Sequence, residues 1–285
     1  MTTIRSPLQN SHSLTCLLIH SFTHPLIPPS TPYSSTHPSN MTTLPKTLEE
    51  AIEQAKVSTQ AAIEDGYKRV QVEIVFPELK IMPIAAQFLE PFEALGEKLR
   101  VYFTDAGAAA LARRDWGEKP FAIRGLSDMR SEIQPEEELL LFVEPSSVEV
   151  NEVEQLCQQA GDRAVVLLNP KMEDIVTIGI GYAGRQLRER FLKQFDAAYY
   201  LQPIEGAAIL RAYPSPWQVW VEKAEDDYEL AGEFPQKPNS EMIEGLLLGT
   251  AETEEATAEP ATSSRPAQRK GILSSLQQFL RALSQ

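Results

Sequence analysis

Three glycines in the second half of the chain follow the spacing G-x-G-x-x-G of phosphate-binding turns. They are Gly179, Gly181 and Gly184, and Arg185 and Arg188 follow closely. Such a turn lets bare backbone approach a pyrophosphate at a helix N-terminus, where the arginines would add positive charge. The same glycines also suit a twisted strand and a tight turn, with the arginines on a solvated face. The motif follows four predicted strands instead of the first, which favours this second interpretation.

Polar side chains also follow each of four predicted strands at the point where the strand ends. They are Glu78, Asp105, Glu144 and Asn169. Because ligands of open parallel sheets bind outside the carboxyl ends of the strands, these side chains would meet in one crevice. Together they could hold a hard cation or act as acid and base partners. Asp105 suits a helix cap equally well, and Asn169 precedes a proline as in ordinary turns, so a structural role is the alternative.

The positions of histidine and cysteine exclude several kinds of active site. All four histidines lie before Met41, and the two cysteines are Cys16 and Cys157. Without an imidazole from Met41 onward, neither a Ser-His-Asp nor a Cys-His arrangement can form there. Zinc sites of cysteine and histidine lack ligands, and no Walker-type phosphate loop occurs. We therefore predict a reducing compartment, no metal and no cofactor, while acid–base work by carboxylates or lysine stays open.

The elements that would position these residues alternate between helices and strands. Helices are predicted over residues 47–66, 84–95, 106–113, 149–160, 185–195 and 241–248. Strands are predicted over residues 70–76, 99–103, 139–143, 164–168, 175–180, 197–201, 207–213 and 217–223. Nearly continuous apolar strands separated by helices are typical of a parallel sheet covered on both faces.

The last two predicted strands should pair differently from the others. The connection between residues 207–213 and 217–223 is too short for a crossover helix, so these strands should be antiparallel. The predicted fold class is therefore α/β with three layers: a mostly parallel mixed sheet with an antiparallel C-terminal edge, covered by helices.

Five aromatic residues lie in or beside the last predicted strands. They are Tyr199, Tyr200, Tyr213, Trp217 and Trp220. They could form a stacking platform for a ligand. Aromatic residues are also strong strand formers that pack across a hairpin, and we favour that structural role.

Composition and charge bound the class of protein. Hydrophobic residues make up 42% and charged residues 23% of the 285 residues, as in an ordinary globular protein. The formal net charge of −14 argues against non-specific nucleic-acid binding, because phosphates would be repelled. No stretch approaches the ~20 consecutive apolar residues of a membrane-spanning helix.

The two ends of the chain differ from the α/β domain, which we place at residues 42–248. Residues 1–40 are rich in Ser, Thr, Pro and His and contain no Lys, Asp or Glu. This leader indicates either a start codon assigned too early, with Met41 the true start, or a plastid transit peptide. Residues 249–269 read as a disordered acidic linker.

Residues 270–285 regain a helical pattern. An apolar stripe comprises Ile272, Leu273, Leu276, Phe279, Leu280 and Leu283. The basic residues of this end are Arg265, Arg269, Lys270 and Arg281. A basic amphipathic helix on a tether suits a membrane surface or a groove on a partner. Packing back onto its own domain is the alternative.

Five short segments resemble a family of uncharacterised domains from cyanobacteria and plastids. They are residues 72–79 (VEIVFPEL), 168–170 (LNP), 188–191 (RERF), 199–201 (YYL) and 213–219 (YPSPWQV). Plant members of that family include low-photosystem-II-accumulation factors, and the domain also occurs fused to plastid adenylate-kinase-like domains. The likeness extends over about residues 45–248 and brings no catalytic residue with it.

This resemblance implies a protein of the cyanobacterial cytoplasm or chloroplast stroma, peripheral to the thylakoid membrane. The expected function is a non-enzymatic accessory or assembly factor for photosystem II biogenesis. Its expected partner is a protein client, such as a photosystem II subunit or another assembly factor, and not a nucleic acid. Residues 270–285 would add peripheral membrane contact. The alternative is a nucleotide- or anion-binding enzyme that uses the glycine turn at Gly179, Gly181 and Gly184.

Overall fold

A nine-stranded sheet forms the centre of the computed structural model, which describes residues 43–128, 133–172, 182–224 and 227–255. The strands are β1 (Arg69–Ile74), β2 (Leu99–Phe103), β3 (Ala122–Gly125), β4 (Leu139–Val143), β5 (Ala164–Leu168), β6 (Asp196–Ile204), β7 (Ala207–Ala212), β8 (Trp217–Ala224) and β9 (Asp227–Phe234). The α-helices are α1 (Leu48–Glu64), α2 (Ile81–Leu89), α3 (Ala106–Trp116), α4 (Val150–Ala160), α5 (Tyr182–Arg190) and α6 (Ser240–Glu255). Short 3₁₀ helices cover Glu90–Lys98 and Leu192–Gln194.

The strand order across the sheet is β3-β2-β4-β5-β1-β6-β7-β8-β9. Every neighbouring pair from β3 to β6 in this order is parallel. The pairs β6–β7, β7–β8 and β8–β9 are antiparallel. The structure therefore confirms the predicted α/β fold with an antiparallel C-terminal edge.

Helices cover both faces of the sheet. Helices α1, α2 and α3 pack on one face, against a core that includes Val72 and Tyr199. Helices α4 and α5 pack on the opposite face, against a second core that includes Phe142. Helix α6 covers the antiparallel strands on that same opposite face, in a third cluster that contains Tyr200 and Ile243. Because β2, β4 and β5 are covered on both sides, all of their residues are buried.

The first helix begins as the sequence predicts. The Thr47 hydroxyl accepts a hydrogen bond from the Glu50 backbone N–H at 3.2 Å, which satisfies one of the unpaired donors of the first turn. After the helix, Gly66 has φ +95°, a left-handed conformation that glycine adopts without a Cβ clash. Local sequence therefore determines both ends of α1.

An arginine joins the end of α4 to the sheet. The Arg69 guanidinium donates to the carbonyl oxygens of Cys157 (2.8 Å), Gly161 (2.7 Å) and Arg163 (2.7 Å). The last carbonyls of a helix have no partner within the helix and carry partial negative charge. Arg69 therefore both caps α4 and fixes it against β1.

The predicted helix over residues 84–95 was wrong in its extent and type. The α-helix covers Ile81–Leu89, and a 3₁₀ helix with Pro91 in its first turn follows. Proline has no backbone N–H and clashes with the preceding turn, so it starts a new segment more readily than it continues a helix. The helix predicted from the sequence included Pro91 near its end.

Strands β3 and β9 were not predicted. The first has only four residues, too few for a periodic pattern, and the second carries acidic residues along the outer edge of the sheet. Helix α6 extends to Glu255 and so includes the first residues of the predicted linker. Residues 1–40, the predicted strand over residues 175–180 and the predicted helix over residues 270–285 lie outside the described residues.

Candidate functional site

The predicted crevice residues lie along one edge of the sheet. Strands β2, β4, β5 and β1 are neighbours in that order, and they are followed by Asp105, Glu144, Asn169 and Glu78 respectively. Because adjacent strands are about 4.8 Å apart, these four strand ends span about 15 Å. We call this row of four residues the strand-end edge.

Asp105 is a helix cap. Its Oδ1 accepts hydrogen bonds from the backbone N–H groups of Gly107 (2.6 Å) and Ala108 (2.9 Å), at the start of α3. The N–H groups of Ala108 and Gly107 hold the pKa of Asp105 below its usual value, because they stabilise the carboxylate. The structural alternative from the sequence is therefore the role that the contacts support.

We expect Asp105→Ala to lower the free energy of unfolding by about 1 kcal/mol at neutral pH, as for other lost caps. The folded pKa of Asp105 is lowered, so this stabilisation is present above the unfolded pKa of about 3.9 and is lost as pH falls through the folded pKa. Urea titrations at pH 7 and below pH 3 check this. Asp105→Asn, which keeps an acceptor without a charge, should retain the cap at both pH values. A cost for Asp105→Ala that is equal at both would contradict the assignment.

Asn169 joins the ends of β5 and β1. Its Oδ1 accepts from the Ile74 N–H at 2.7 Å, and its Nδ2 donates to the Ile74 carbonyl at 3.1 Å. Its own backbone N–H donates to the Val72 carbonyl at 2.7 Å. The side-chain amide therefore continues the pairing between these strands past the end of β5. A ligand would have to compete with these bonds for the amide.

Glu144 forms a corresponding link between the loops after β4 and β5. Its backbone N–H donates to the Leu168 carbonyl at 2.7 Å, and its carboxylate forms an ion pair with Lys171. The Lys171 N–H donates to the Pro145 carbonyl at 2.8 Å, so the two loops are also paired through their backbones.

Three members of the strand-end edge have a left-handed backbone. The φ angles are +57° at Glu78, +52° at Glu144 and +48° at Asn169, and these are the only non-glycine residues with positive φ among the described residues. Such strain is concentrated at functional sites, although asparagine tolerates it better than glutamate does. Glu78 and Asp105 are both exposed, and of the four side chains that of Glu78 takes no part in the contacts above.

The strand-end edge is therefore built mainly for structure. Asp105, Glu144 and Asn169 direct their polar atoms to a helix terminus, a lysine and a neighbouring strand. Within the described residues, no group of three or more His, Cys, Asp or Glu side chains could hold a metal ion. A single carboxylate outside these contacts, that of Glu78, does not supply the paired groups that acid–base catalysis uses.

The glycine motif lies only partly within the described residues. Gly179 and Gly181 fall outside them, whereas Gly184 is buried in the first turn of α5. Arg185 and Arg188 lie on the exposed side of the helix. Helix α5 lies between β5 and β6 in the chain. In the sheet, β1 lies between these two strands and is parallel to both. A strand, a helix and a parallel strand in this order form the βαβ unit in which a dinucleotide fingerprint occurs.

The aromatic residues do not form one platform. Tyr199 is buried in the core beneath α1, and its neighbour Tyr200 points to the opposite face. There its ring lies 5.2 Å from that of Trp217, and the Lys237 ammonium lies 3.8 Å from the Tyr200 ring centroid. Tyr213 contacts a different ring, that of Tyr67, at 5.3 Å. These contacts are those of residues packing between strands and helices, as the sequence argument favoured.

Cys157 is buried in α4. Burial raises the pKa of its thiol to about 12. A thiol with such a pKa is protonated at neutral pH and is a poor nucleophile. This cysteine serves as a small apolar side chain of the core.

Sequence reasoning missed a buried ion pair. Arg100 of β2 pairs with Glu137, which precedes β4, and their side chains are 6% and 3% exposed. The available signal was the arginine itself, since it stands in an otherwise apolar strand (LRVYF) whose residues are all buried. A charge in such a position needs a partner, and the local sequence pattern does not identify Glu137 as that partner.

Apolar side chains are exposed in the loops of the strand-end edge. Val75, directly after β1, is 38% exposed, and Val148, between β4 and α4, is 75% exposed. None of the helices among residues 43–128, 133–172, 182–224 and 227–255 is long and apolar enough to span a membrane.

The chain was also compared with known families. Residues 45–245, which extend from the segment before α1 into α6, match the profile of the family described as "Domain of unknown function (DUF1995)".

Proposed function

The chain belongs to the DUF1995 family, and from this premise we propose that it is a non-enzymatic accessory factor that binds a protein client. One observation supports this proposal above the others. At the edge of the sheet where α/β enzymes hold their substrates, the polar side chains of Asp105, Glu144 and Asn169 are engaged in structural contacts. At the same edge of the sheet, Val75 and Val148 are exposed to solvent.

Exposed apolar side chains beside polar ones suit recognition of a protein surface. Val75 and Val148 belong to the loops after β1 and β4, two strands that are separated in the sheet by β5 alone. Glu78 and Glu144, in the same two loops, add acidic groups beside them. We propose that this edge contacts the client.

The proposed setting is photosystem II biogenesis at the thylakoid, in the cyanobacterial cytoplasm or the chloroplast stroma. It rests on the resemblance to a family whose plant members include low-photosystem-II-accumulation factors. That resemblance is carried by residues 72–79, 168–170, 188–191, 199–201 and 213–219. The client would be a photosystem II subunit or another assembly factor.

The client proposal is tested by affinity capture with a tagged chain from detergent-solubilised thylakoids, with quantification of photosystem II subunits and assembly factors. We expect Val75→Asp combined with Val148→Asp to lose the captured client. Val57→Asp is the matched control, because Val57 is 64% exposed but lies on α1. The proposal is wrong if no photosystem II protein is retained, or if the control loses it equally.

In the proposed mechanism, residues 270–285 raise the local concentration of the domain at the membrane or partner. The C-terminal end has one apolar face and four basic residues, of which Arg265 and Arg269 lie just before residue 270. This small number of charges implies weak, reversible attachment. We expect deletion of residues 271–285 to move the protein from the thylakoid fraction to the soluble fraction. Replacing Leu276 and Leu280 with serine should have the same effect, and replacing Ser274 and Ser275 with alanine should have none. Unchanged fractionation of the deletion variant would contradict this mechanism.

A second candidate function is a nucleotide- or anion-binding enzyme. It is favoured by the position of α5, which begins within the glycine spacing and has Gly184 buried in its first turn. A thermal-shift screen with nucleotides and dinucleotides separates the two candidates. A ligand at 100 times its Kd would stabilise the fold by about 2.7 kcal/mol, and Arg185→Gln should reduce that shift. No shift with any of these compounds would exclude this candidate.

A further inference from the structure

Two arginines occupy the face of the sheet opposite α3, near its β3 edge. On β2, Leu99, Val101 and Phe103 belong to the core beneath α3, so Arg100 and Tyr102 point to the other face. Arg124 of β3 lies opposite Tyr102 in the parallel register and therefore on the same face. The side chains of Arg100, Tyr102 and Arg124 form a group that belongs neither to the strand-end edge nor to the glycine motif.

The surroundings of this group are largely dry. Tyr102 is fully buried, and its ring stacks on Phe142 at 4.9 Å between centroids. Burial, the largest cause, raises the pKa of Tyr102, whereas the neighbouring charge of Arg100 acts in the opposite direction. Glu137, itself buried, forms an ion pair with Arg100 and neutralises it.

Within the described part of the chain, Arg124 has no such counter-charge. Its Nε is buried without a hydrogen-bond partner, and no carboxylate of the described residues pairs with its guanidinium. The nearest acid along the described chain, Asp128, accepts from the Gly125 N–H at 2.9 Å. With Arg100 and Glu137 balanced, the group has a net charge of about +1 at the edge of a low-dielectric region, which is costly unless an anion is present.

We propose that Arg124 is the anchor of an oxyanion-binding site on this face of the sheet. Arg124 as a whole residue is only partly buried. In this proposal, the guanidinium donors other than Nε reach a ligand from solvent. A planar guanidinium fits two oxygens of a phosphate or a carboxylate with parallel hydrogen bonds. The ligand is therefore a small anion, or the phosphate or carboxylate group of a small metabolite.

The site is distinct from the glycine motif and from the strand-end edge, and it does not depend on the proposed client. The test uses the full chain in thermal-shift titrations with inorganic phosphate and with acetate, each against sodium chloride at equal ionic strength. Either probe at about ten times its Kd should raise Tm by about 3–6 °C. A response to phosphate alone identifies a phosphate-bearing ligand, and a response to both identifies a general oxyanion site.

Arg124→Gln should abolish the shift. Arg114→Gln is the matched control, because it removes one arginine from an exposed ion pair on α3. Without phosphate or acetate, Arg124→Gln should leave Tm unchanged or higher, since the substitution removes a buried donor without an acceptor. A purely structural arginine would instead lower Tm in the absence of anions.

Two results would overturn the proposal. The first is equal shifts in the chain with Arg124 and in Arg124→Gln. The second is a double-mutant cycle in which Arg124→Gln and Glu132→Gln each lower the free energy of unfolding, and the double variant loses no more than either single variant. Glu132 lies outside the described residues, and such coupling would assign the counter-charge to the chain itself.

Discussion

Replacing Glu137 with alanine is expected to lower the free energy of unfolding by about 3–5 kcal/mol. The carboxylate is 3% exposed and pairs with Arg100, which is 6% exposed. Removing it leaves the guanidinium charged in a low-dielectric interior, because arginine cannot lose its proton. Urea denaturation monitored by circular dichroism checks the loss, which corresponds to a fall in Tm of about 6–20 °C for a domain of this size.

The neighbouring residue provides the control for this experiment. Glu138 forms an ion pair with Lys98 at 2.7 Å, but these side chains are 60% and 54% exposed. Water screens the exposed pair, so Glu138→Ala should cost less than about 1 kcal/mol. Replacing the buried pair jointly, by Arg100→Met and Glu137→Leu, should recover most of the stability lost in Glu137→Ala. Equal costs at residues 137 and 138 would show that burial does not govern this pair.

Replacing Asn169 with alanine is expected to lower the free energy of unfolding by about 2–5 kcal/mol. The substitution removes both side-chain hydrogen bonds to Ile74, each worth about 0.5–1.5 kcal/mol. It also places alanine at φ +48°, where an L residue without a local hydrogen bond is strained by about 1–2 kcal/mol. Both effects weaken the contact between β5 and β1 at the centre of the sheet.

A glycine at the same position separates these two effects. Asn169→Gly loses the hydrogen bonds but keeps an easy left-handed backbone, so it should cost less than Asn169→Ala. Glu78→Ala is the control, since Glu78 also has a positive φ but is exposed, and its cost should stay within about 0.5 kcal/mol. If alanine and glycine at 169 cost the same, backbone strain contributes nothing there.

The strand-end edge shows how much of the candidate site is predictable. The sequence placed Glu78, Asp105, Glu144 and Asn169 after strands, and the structure puts those strand ends at one edge. The cap at Asp105 was also predictable, because the backbone N–H groups that donate to its carboxylate lie two and three residues away. The partner of Asn169 was not, because Ile74 lies 95 residues earlier in the chain.

The same distinction applies to the fold. Thr47 caps α1 as predicted, and β2, β4 and β5 have the predicted bounds. These features were predictable because capping side chains and continuous apolar runs act over a few residues. The short strand β3 was missed, because its four residues are stabilised by pairing with β2 and not by their own pattern.

The sequence by itself therefore determined most of the helices and strands, the α/β class and the absence of imidazole from Met41 onward, since all of these depend on residue identity or local spacing. Only the tertiary structure decided that Glu137 neutralises Arg100, that the Asn169 amide is engaged by β1, and that Arg124 lies opposite Tyr102. The energy of a charge or an amide depends on the groups within a few ångströms of it. In a sheet those groups come from distant parts of the chain.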